Sequence, residues 1–143
     1  MELVNAGVMD LAALRRLEKA CFEKDAWPLL DLIAVLTWPD VIRFKAVEQG
    51  EMIGFVAGDP RPSTGVGWIA TLAVDPRWQR RGIGAALLRA CEERFTLPLV
   101  KLTVRASNRG AIALYEQTGY RVIDTWRGYY NDGEDGLVML KTL

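Results

Sequence analysis

The chain has 143 residues, half of them hydrophobic and a quarter charged, and its 18 lysine and arginine residues balance 18 aspartate and glutamate residues. This size and apolar content predict one domain with a hydrophobic core, spanning residues 1–143. The zero net charge argues against a nucleic-acid-binding surface, and no apolar run reaches the roughly 18 residues of a membrane span. Because histidine is absent and no signal peptide is recognisable, we expect a cytoplasmic protein without a bound metal.

The N-terminal half predicts a short strand, two helices and a hairpin. Met1 to Ala6 is the strand, and Asp10 is a suitable N-cap for a helix over "LAALRRLEKACF", whose leucines recur at helical spacing. A second helix begins at Pro28, in "PLLDLIAVL". The β-rich runs on either side of Gln49 and Gly50 predict two strands joined by a tight turn.

The C-terminal half predicts alternating strands and helices. After a surface loop at 59–67, the apolar run "WIATLAV" indicates a buried central strand, and a helix over about 82–95 follows. A strand at 98–104, a helix ended by Gly119 and a closing hairpin around "NDGEDG" complete the chain. The order predicts an α/β (α+β) fold, with a mixed and mostly antiparallel sheet of about seven strands, four helices and a central β-α-β unit.

The stretch "QRRGIGAALL" at 79–88 is unusual because two glycines lie in the first turn of a predicted helix. Each glycine costs about 1 kcal/mol relative to alanine, so their presence indicates that another molecule approaches the backbone. A helix N-terminus attracts anions, Gly82 and Gly84 leave room for one, and Arg80 and Arg81 add positive charge. We therefore predict a phosphate-binding loop; close packing of the helix on a strand is the alternative explanation.

"LAVDPRWQRRGIGAALL" resembles the pyrophosphate loop of the GNAT superfamily of acyl-CoA-dependent N-acyltransferases, whose pattern Q/R-x-x-G-x-G/A is filled by Gln79, Gly82 and Gly84. "VRASNRGAIALYEQTGY" resembles the second half of the same cofactor site. The resemblance covers nearly the whole chain, and "CFEKDAWP" and "YYNDGEDGLVM" are most similar to the branch that acetylates protein N-termini, including ribosomal-protein-alanine acetyltransferases. It implies a GNAT fold and direct transfer of acetyl from acetyl-CoA to a primary amine, most simply a protein N-terminus.

The resemblance also implies roles for individual residues. Tyr115 would protonate the departing CoA thiolate, which suits a phenol of pKa about 10, although a core aromatic is the alternative. Acceptor recognition would fall to Phe22, Trp27, Tyr129 and Tyr130, of which the first two could equally belong to the core. The residues that would bind acetyl-CoA are Leu72, Ala73, Val74, Gln79, Arg80, Arg81, Gly82, Ile83, Gly84, Ala85 and Asn108.

One position departs from the N-terminal-acetylating branch. That branch has a pattern similar to Leu-Glu-Val, with the glutamate as general base, where this chain has Leu102, Thr103 and Val104. A threonine hydroxyl cannot replace the glutamate as general base. An α-amine of pKa about 7.8 is roughly one-third neutral near physiological pH, whereas a lysine amine is neutral about one time in a thousand. The missing glutamate thus favours an N-terminal or other low-pKa amine over a lysine, provided that a chain of water leads the proton out. The candidates for a water-mediated proton acceptor are Glu51, Glu134, Asp135 and Asp25.

Two alternative functions are open at this point. One is acetylation of a small amine such as a polyamine, an amino acid or an antibiotic, and the other is a non-catalytic domain that senses acyl-CoA. The acidic cluster of Asp132, Glu134 and Asp135 could attract an amine, or could simply form a solvated turn. The expected partners are acetyl-CoA and an acceptor amine, with no nucleic acid and no membrane; a homodimer is compatible with the resemblance.

Overall fold

The computed structural model describes residues 1–22 and 25–143. The strands are β1 (Glu2–Asn5), β2 (Ile42–Glu48), β3 (Glu51–Arg61), β4 (Val66–Val74), β5 (Leu99–Arg105), β6 (Arg121–Trp126) and β7 (Gly136–Thr142). The helices are α1 (Leu11–Cys21), α2 (Leu29–Thr37), α3 (Ile83–Arg94) and α4 (Arg109–Gln117). The order of strands and helices therefore agrees with the prediction.

The strands follow the order β1-β2-β3-β4-β5-β7-β6 in a seven-stranded sheet. β4 and β5 are parallel, from the pair Val66 and Leu99 to the pair Trp68 and Lys101, as a connection through α3 requires. The pairs β1/β2, β2/β3, β5/β7 and β6/β7 are antiparallel. The predicted mixed sheet with a central β-α-β unit is confirmed.

The loop expected at 59–67 is shorter than predicted. β3 continues to Arg61 and β4 begins at Val66, so only the 3-10 turn Pro62–Thr64 and Gly65 separate the two strands. A proline near the end of a strand removes one hydrogen-bond donor but does not end the strand, which is why composition alone overestimated the loop.

The Cα trace divides into two compact units. The first unit comprises Met1–Pro60 and Ile69–Phe95. Its core packs leucines of α1 and α2 against Phe55 of β3 and Ala73 of β4, because the apolar faces of both helices recur at helical spacing.

The second unit comprises Arg61–Trp68 and Thr96–Leu143. β5 alternates within it: the buried residues are Val100, Leu102 and Val104, and the residues between them are partly exposed. This alternation gives β5 one face in the core and one face that carries Thr103 and Arg105. Among residues 1–22 and 25–143, no helix is long and apolar enough to cross a membrane.

Candidate active site

The turn between β4 and α3 presents backbone amides in the first unit. Arg80 and Gly82 both have left-handed backbones, with φ of 64° and 79°, and α3 begins at Ile83 directly after them. Gly82 is the N-cap residue and has no side chain with which to cap the helix, so the first amides of α3 are open to an anion. The turn thus has the backbone form expected of a phosphate-binding loop.

Side chains around this turn add positive charge and hold it in place. The Arg81 guanidinium lies 4.7 Å from the ring centre of Trp78, and Arg80 is exposed. The Gln79 amide nitrogen donates to the Val74 carbonyl at 3.2 Å, so it is turned toward β4. Residues 79–82 thus form an exposed turn that carries two arginines, and residues 83–85 form the first turn of α3, in which Ile83 and Gly84 are buried.

The end of β4 is fixed from two sides. Besides Gln79, the Cys21 thiol of α1 donates to the Val74 carbonyl at 3.2 Å. Burial, with the neighbouring Glu18 and Asp75, raises the pKa of Cys21 to about 11, so the thiol keeps the proton that it donates. Sequence reasoning missed this contact because Cys21 and Val74 are 53 residues apart.

Glu18 is a buried acid that the helical pattern of α1 did not reveal. Its side chain is 1% exposed, and among the residues that the structure describes neither carboxylate oxygen has a hydrogen-bond partner. Burial raises its pKa to about 7, and the hydroxyl of Thr71 on β4 opposes part of that rise. The first unit therefore holds a titratable group directly behind the strand that is expected to bind acetyl-CoA.

In the second unit, Tyr115 lies on α4, whose first turn is capped by Asn108. The Asn108 side-chain oxygen accepts from the Ala111 N–H at 3.1 Å. Tyr115 is 8% exposed and packs edge-on against Tyr120, with ring centres 5.9 Å apart. Burial, with a smaller effect of Tyr130, raises the pKa of Tyr115 well above its usual range. The phenol is therefore both a core aromatic and an acid that stays protonated.

Arg105 at the end of β5 holds the loop between β6 and β7. One guanidinium nitrogen lies 2.9 Å from Asp132 and 2.8 Å from Glu134, and the guanidinium carbon lies 4.3 Å from the ring centre of Tyr130. The second Glu134 oxygen accepts from the Ser107 N–H at 2.8 Å. The acidic cluster predicted from the sequence is thus tied to β5, rather than being a simple solvated turn.

The four carboxylates proposed as proton acceptors differ in their surroundings. Hydrogen bonds from Ser107 and Arg105 lower the pKa of Glu134, which makes it a weaker base. Asp135 accepts from the Gly128 N–H at 2.9 Å. In the first unit, Glu51 pairs with Arg77 at 2.8 Å, and the Asp25 N–H donates to the Phe22 carbonyl at 3.1 Å.

The residues predicted to recognise the acceptor fall into two groups. Phe22 and Trp27 are partly buried and pack against the core of the first unit, while Glu23 and Lys24 of "CFEKDAWP" lie outside the described residues. Tyr129 and Tyr130 lie together in the second unit, with ring centres 5.0 Å apart, and Tyr129 is 53% exposed. Of the four residues predicted to recognise the acceptor, the two tyrosines thus form a solvent-accessible aromatic surface.

A family model described as "Acetyltransferase (GNAT) family" matches residues 11–120. The chain belongs to the GNAT family of acetyltransferases. The recognition made from the loop motif is confirmed, and so are the fold and the class of enzyme.

Relatives of this GNAT protein share most of its length. It is 31% identical over 145 residues to the N-terminal acetyltransferase A complex catalytic subunit NAA10 of Arabidopsis thaliana, covering 96% of this chain and 76% of the relative. It is 36% identical over 104 residues to the [Ribosomal protein bS18]-alanine N-acetyltransferase of Escherichia coli K12, covering 68% and 69%. The crystal structure of the ribosomal-protein-S18-alanine N-acetyltransferase from Escherichia coli matches with a TM-score of 0.86 and 29% identity, over 99% of this chain and 92% of that chain.

Proposed function

We propose that this protein transfers the acetyl group of acetyl-CoA to the N-terminal α-amine of a protein. The observation that carries the proposal is the likeness, over 96% of the chain, to a protein named as the catalytic subunit of an N-terminal acetyltransferase complex. Thr103 at the position of the usual glutamate agrees with it, because an α-amine needs less help from a base than a lysine does. A cytoplasmic location and a homodimer stay predictions.

The first unit supplies the binding of acetyl-CoA, which brings a thioester carbonyl and a thiolate leaving group to the reaction. The amides from Gln79 to Ala85, with Arg80 and Arg81, hold the pyrophosphate at the N-terminus of α3. Backbone groups of Leu72, Ala73 and Val74 bind the pantetheine arm. The bonds to the Val74 carbonyl keep the end of β4 in one orientation, which pre-organises these groups.

Two groups of this chain act on the reacting atoms. A backbone N–H near Val74 polarises the carbonyl oxygen, and the Tyr115 hydroxyl gives its proton to the departing sulfur. The raised pKa of Tyr115 keeps the phenol protonated throughout the range in which an α-amine becomes neutral, but it also makes the phenol a weaker acid than a free tyrosine. The amine proton leaves through water, since three of the predicted bases, Glu134, Asp135 and Glu51, are engaged in hydrogen bonds or ion pairs.

Tyr129 and Tyr130 contact the acceptor backbone, because each combines apolar area with a hydroxyl that can bind a peptide group. Arg105 keeps both rings in position through its contacts with Tyr130, Asp132 and Glu134. Phe22 and Trp27 stay predicted contacts of the acceptor, and both pack against the core of the first unit.

The experiment that tests this function measures release of CoA thiol with three acceptors. They are a lysine-free peptide that begins with alanine, the same peptide with a blocked N-terminus, and spermidine. We expect release with the first peptide alone. Release with spermidine alone would replace the proposal by small-amine acetylation, and release with none, despite measured acetyl-CoA binding, would favour an acyl-CoA sensor.

A further inference from the structure

The second unit contains a continuous row of aromatic rings that extends beyond the two predicted tyrosines. The ring centres of Trp68 and Trp126 are 6.1 Å apart, those of Trp126 and Tyr129 are 5.2 Å apart, and those of Tyr129 and Tyr130 are 5.0 Å apart. We call these four residues the aromatic row. Trp68 and Trp126 are both partly exposed, so the row has a face that another molecule can contact.

The two tryptophans meet over the part of β5 that carries Thr103. Trp68 pairs with Lys101 on β5, and Trp126 pairs with Gly136 on β7, which in turn pairs with Arg105. Thr103 lies midway between Lys101 and Arg105 and shares their face, because side chains alternate along a strand. The contact between the indoles therefore crosses β5 and β7 at the level of Thr103, the residue that replaces the general base.

Tyr129 is held against the same place by the absence of a side chain at Gly136. A Cβ atom added at Gly136 would lie 2.9 Å from Cγ2 of Thr103 and 3.2 Å from the Tyr129 ring. Distances this short require one of the two side chains to move. Glycine at this position thus allows Tyr129 to lie beside Thr103.

The other end of the row is held by Arg105. Its guanidinium carbon lies 4.3 Å from the ring centre of Tyr130, and Arg105 shares the face of β5 that carries Thr103. The row therefore runs alongside Thr103, the site of the missing base. An acceptor amine that reacts beside Thr103 brings its first side chain against the aromatic rings.

We propose that Trp68 and Trp126 are specificity-determining residues that bind the first side chain of the acceptor peptide and favour a large apolar one. The inference rests on the proposed N-terminal acetylation and names the substrate class for it. Indole rings supply a large apolar area at a small entropic cost, since each has only two rotatable side-chain bonds. Arg61 and Lys101 lie 5.7 Å and 5.9 Å from the Trp68 ring centre, so a cationic first side chain is disfavoured.

The test compares peptides that differ only in the first residue, which is glycine, leucine or arginine; the cationic arginine peptide should react no faster than the glycine peptide. The proteins are the wild type, Trp68→Ala, Trp126→Ala and the control Trp38→Ala, whose tryptophan is 64% exposed in the first unit. We expect the wild type to prefer leucine over glycine in kcat/KM, and either row variant to lower that preference about tenfold, or about 1.4 kcal/mol. The KM for acetyl-CoA of both row variants, and the leucine preference of Trp38→Ala, should stay within about twofold of the wild-type values. An unchanged leucine preference in both row variants would overturn the proposal.

A binding measurement keeps the outcome readable if an alanine variant fails to fold. Wild-type protein with 15N-labelled indoles is titrated, in the presence of CoA, with a leucine peptide whose α-amine is replaced by hydrogen. Assignment uses the milder variants Trp68→Phe, Trp126→Phe and Trp38→Phe. We expect the indole signals of Trp68 and Trp126 to shift and that of Trp38 to stay.

The two measurements separate this inference from the proposed function. Indole shifts without acetylation of any peptide would support Trp68 and Trp126 as a peptide-binding surface and would refute N-terminal acetylation as the activity. Acetylation of the peptides with no indole shift would keep the activity and refute the role of the two tryptophans. In Gly136→Ala, displacement of Tyr129 should lower the leucine preference without a change at either tryptophan; an unchanged preference there would argue against the row as one binding surface.

Discussion

Replacing Glu18 by glutamine should abolish a pH dependence of stability that this buried acid imposes on the fold. The pKa of Glu18 is raised from 4.5 to about 7 in the folded protein, so the folded state binds the proton more tightly than the unfolded chain. Its stabilising effect is therefore present below about pH 4.5 and is lost as the pH rises through 7. At higher pH the carboxylate is charged in both states, and the cost of burying that charge is complete.

The size of the effect follows from the two pKa values. Linkage gives a loss of about 1 kcal/mol at pH 5 and about 3 kcal/mol at pH 8, a difference of about 2 kcal/mol between those conditions. The Glu18→Gln variant removes this term but leaves a buried amide, whose own cost of about 1–3 kcal/mol does not vary with pH. The informative quantity is therefore how the stability difference between wild type and variant changes with pH.

Urea denaturation at several pH values between about 5 and 8 measures that quantity, with Glu93→Gln on the exposed face of α3 as the matched control. We expect the variant to gain about 2 kcal/mol relative to the wild type from the lowest pH to the highest, and the control to gain almost nothing. A difference that is constant within about 0.5 kcal/mol would refute the assignment of Glu18 as a buried acid with a raised pKa.

Three further predictions concern the active site. Tyr115→Phe should keep the Kd for acetyl-CoA within about twofold, measured by calorimetry, and lower kcat by about 10²-fold or more; an undiminished kcat would mean that the phenol proton is not used. Gly82→Ala places a side chain where φ is 79°, at a cost of about 1 kcal/mol, so the free variant should relax out of this conformation and acetyl-CoA should bind about fivefold more weakly, with the peptide KM unchanged. Glu134→Gln weakens the contact with Arg105 and should raise the peptide KM but not the Kd for acetyl-CoA, whereas the exposed Glu116→Gln should change neither.

Local signals in the sequence were enough to predict the glycine turn at the start of α3. Two glycines at the start of a helical pattern, with arginines before them, indicate an anion site wherever the rest of the chain lies, and the structure places Gly82 in a left-handed backbone at the start of α3. The order of strands and helices followed in the same way from apolar periodicity and turn residues. Turns and secondary-structure elements whose conformation is set by adjacent residues could therefore be predicted from the sequence.

Features that depend on distant parts of the chain could not be predicted in this way. Glu18 follows Leu17 in an amphipathic pattern, and only the packing of α1 against β4 shows that it is buried beside Thr71. Trp68 and Trp126 are brought together by a sheet order in which β5 and β7 lie between their strands. Likewise, the contacts of Arg105 with Asp132 and Glu134 gave the acidic turn a positional role that its composition does not reveal.

The most direct test of N-terminal acetylation offers both kinds of amine in one molecule. A single peptide with a free N-terminal leucine and one internal lysine is incubated with acetyl-CoA and the protein, and fragmentation mass spectrometry locates the acetyl group. We predict acetylation on the α-amine and none on the lysine, because Thr103 leaves the site without the carboxylate that a lysine ammonium needs as a proton acceptor. An acetyl group on the lysine side chain, with the α-amine unmodified, would contradict the account.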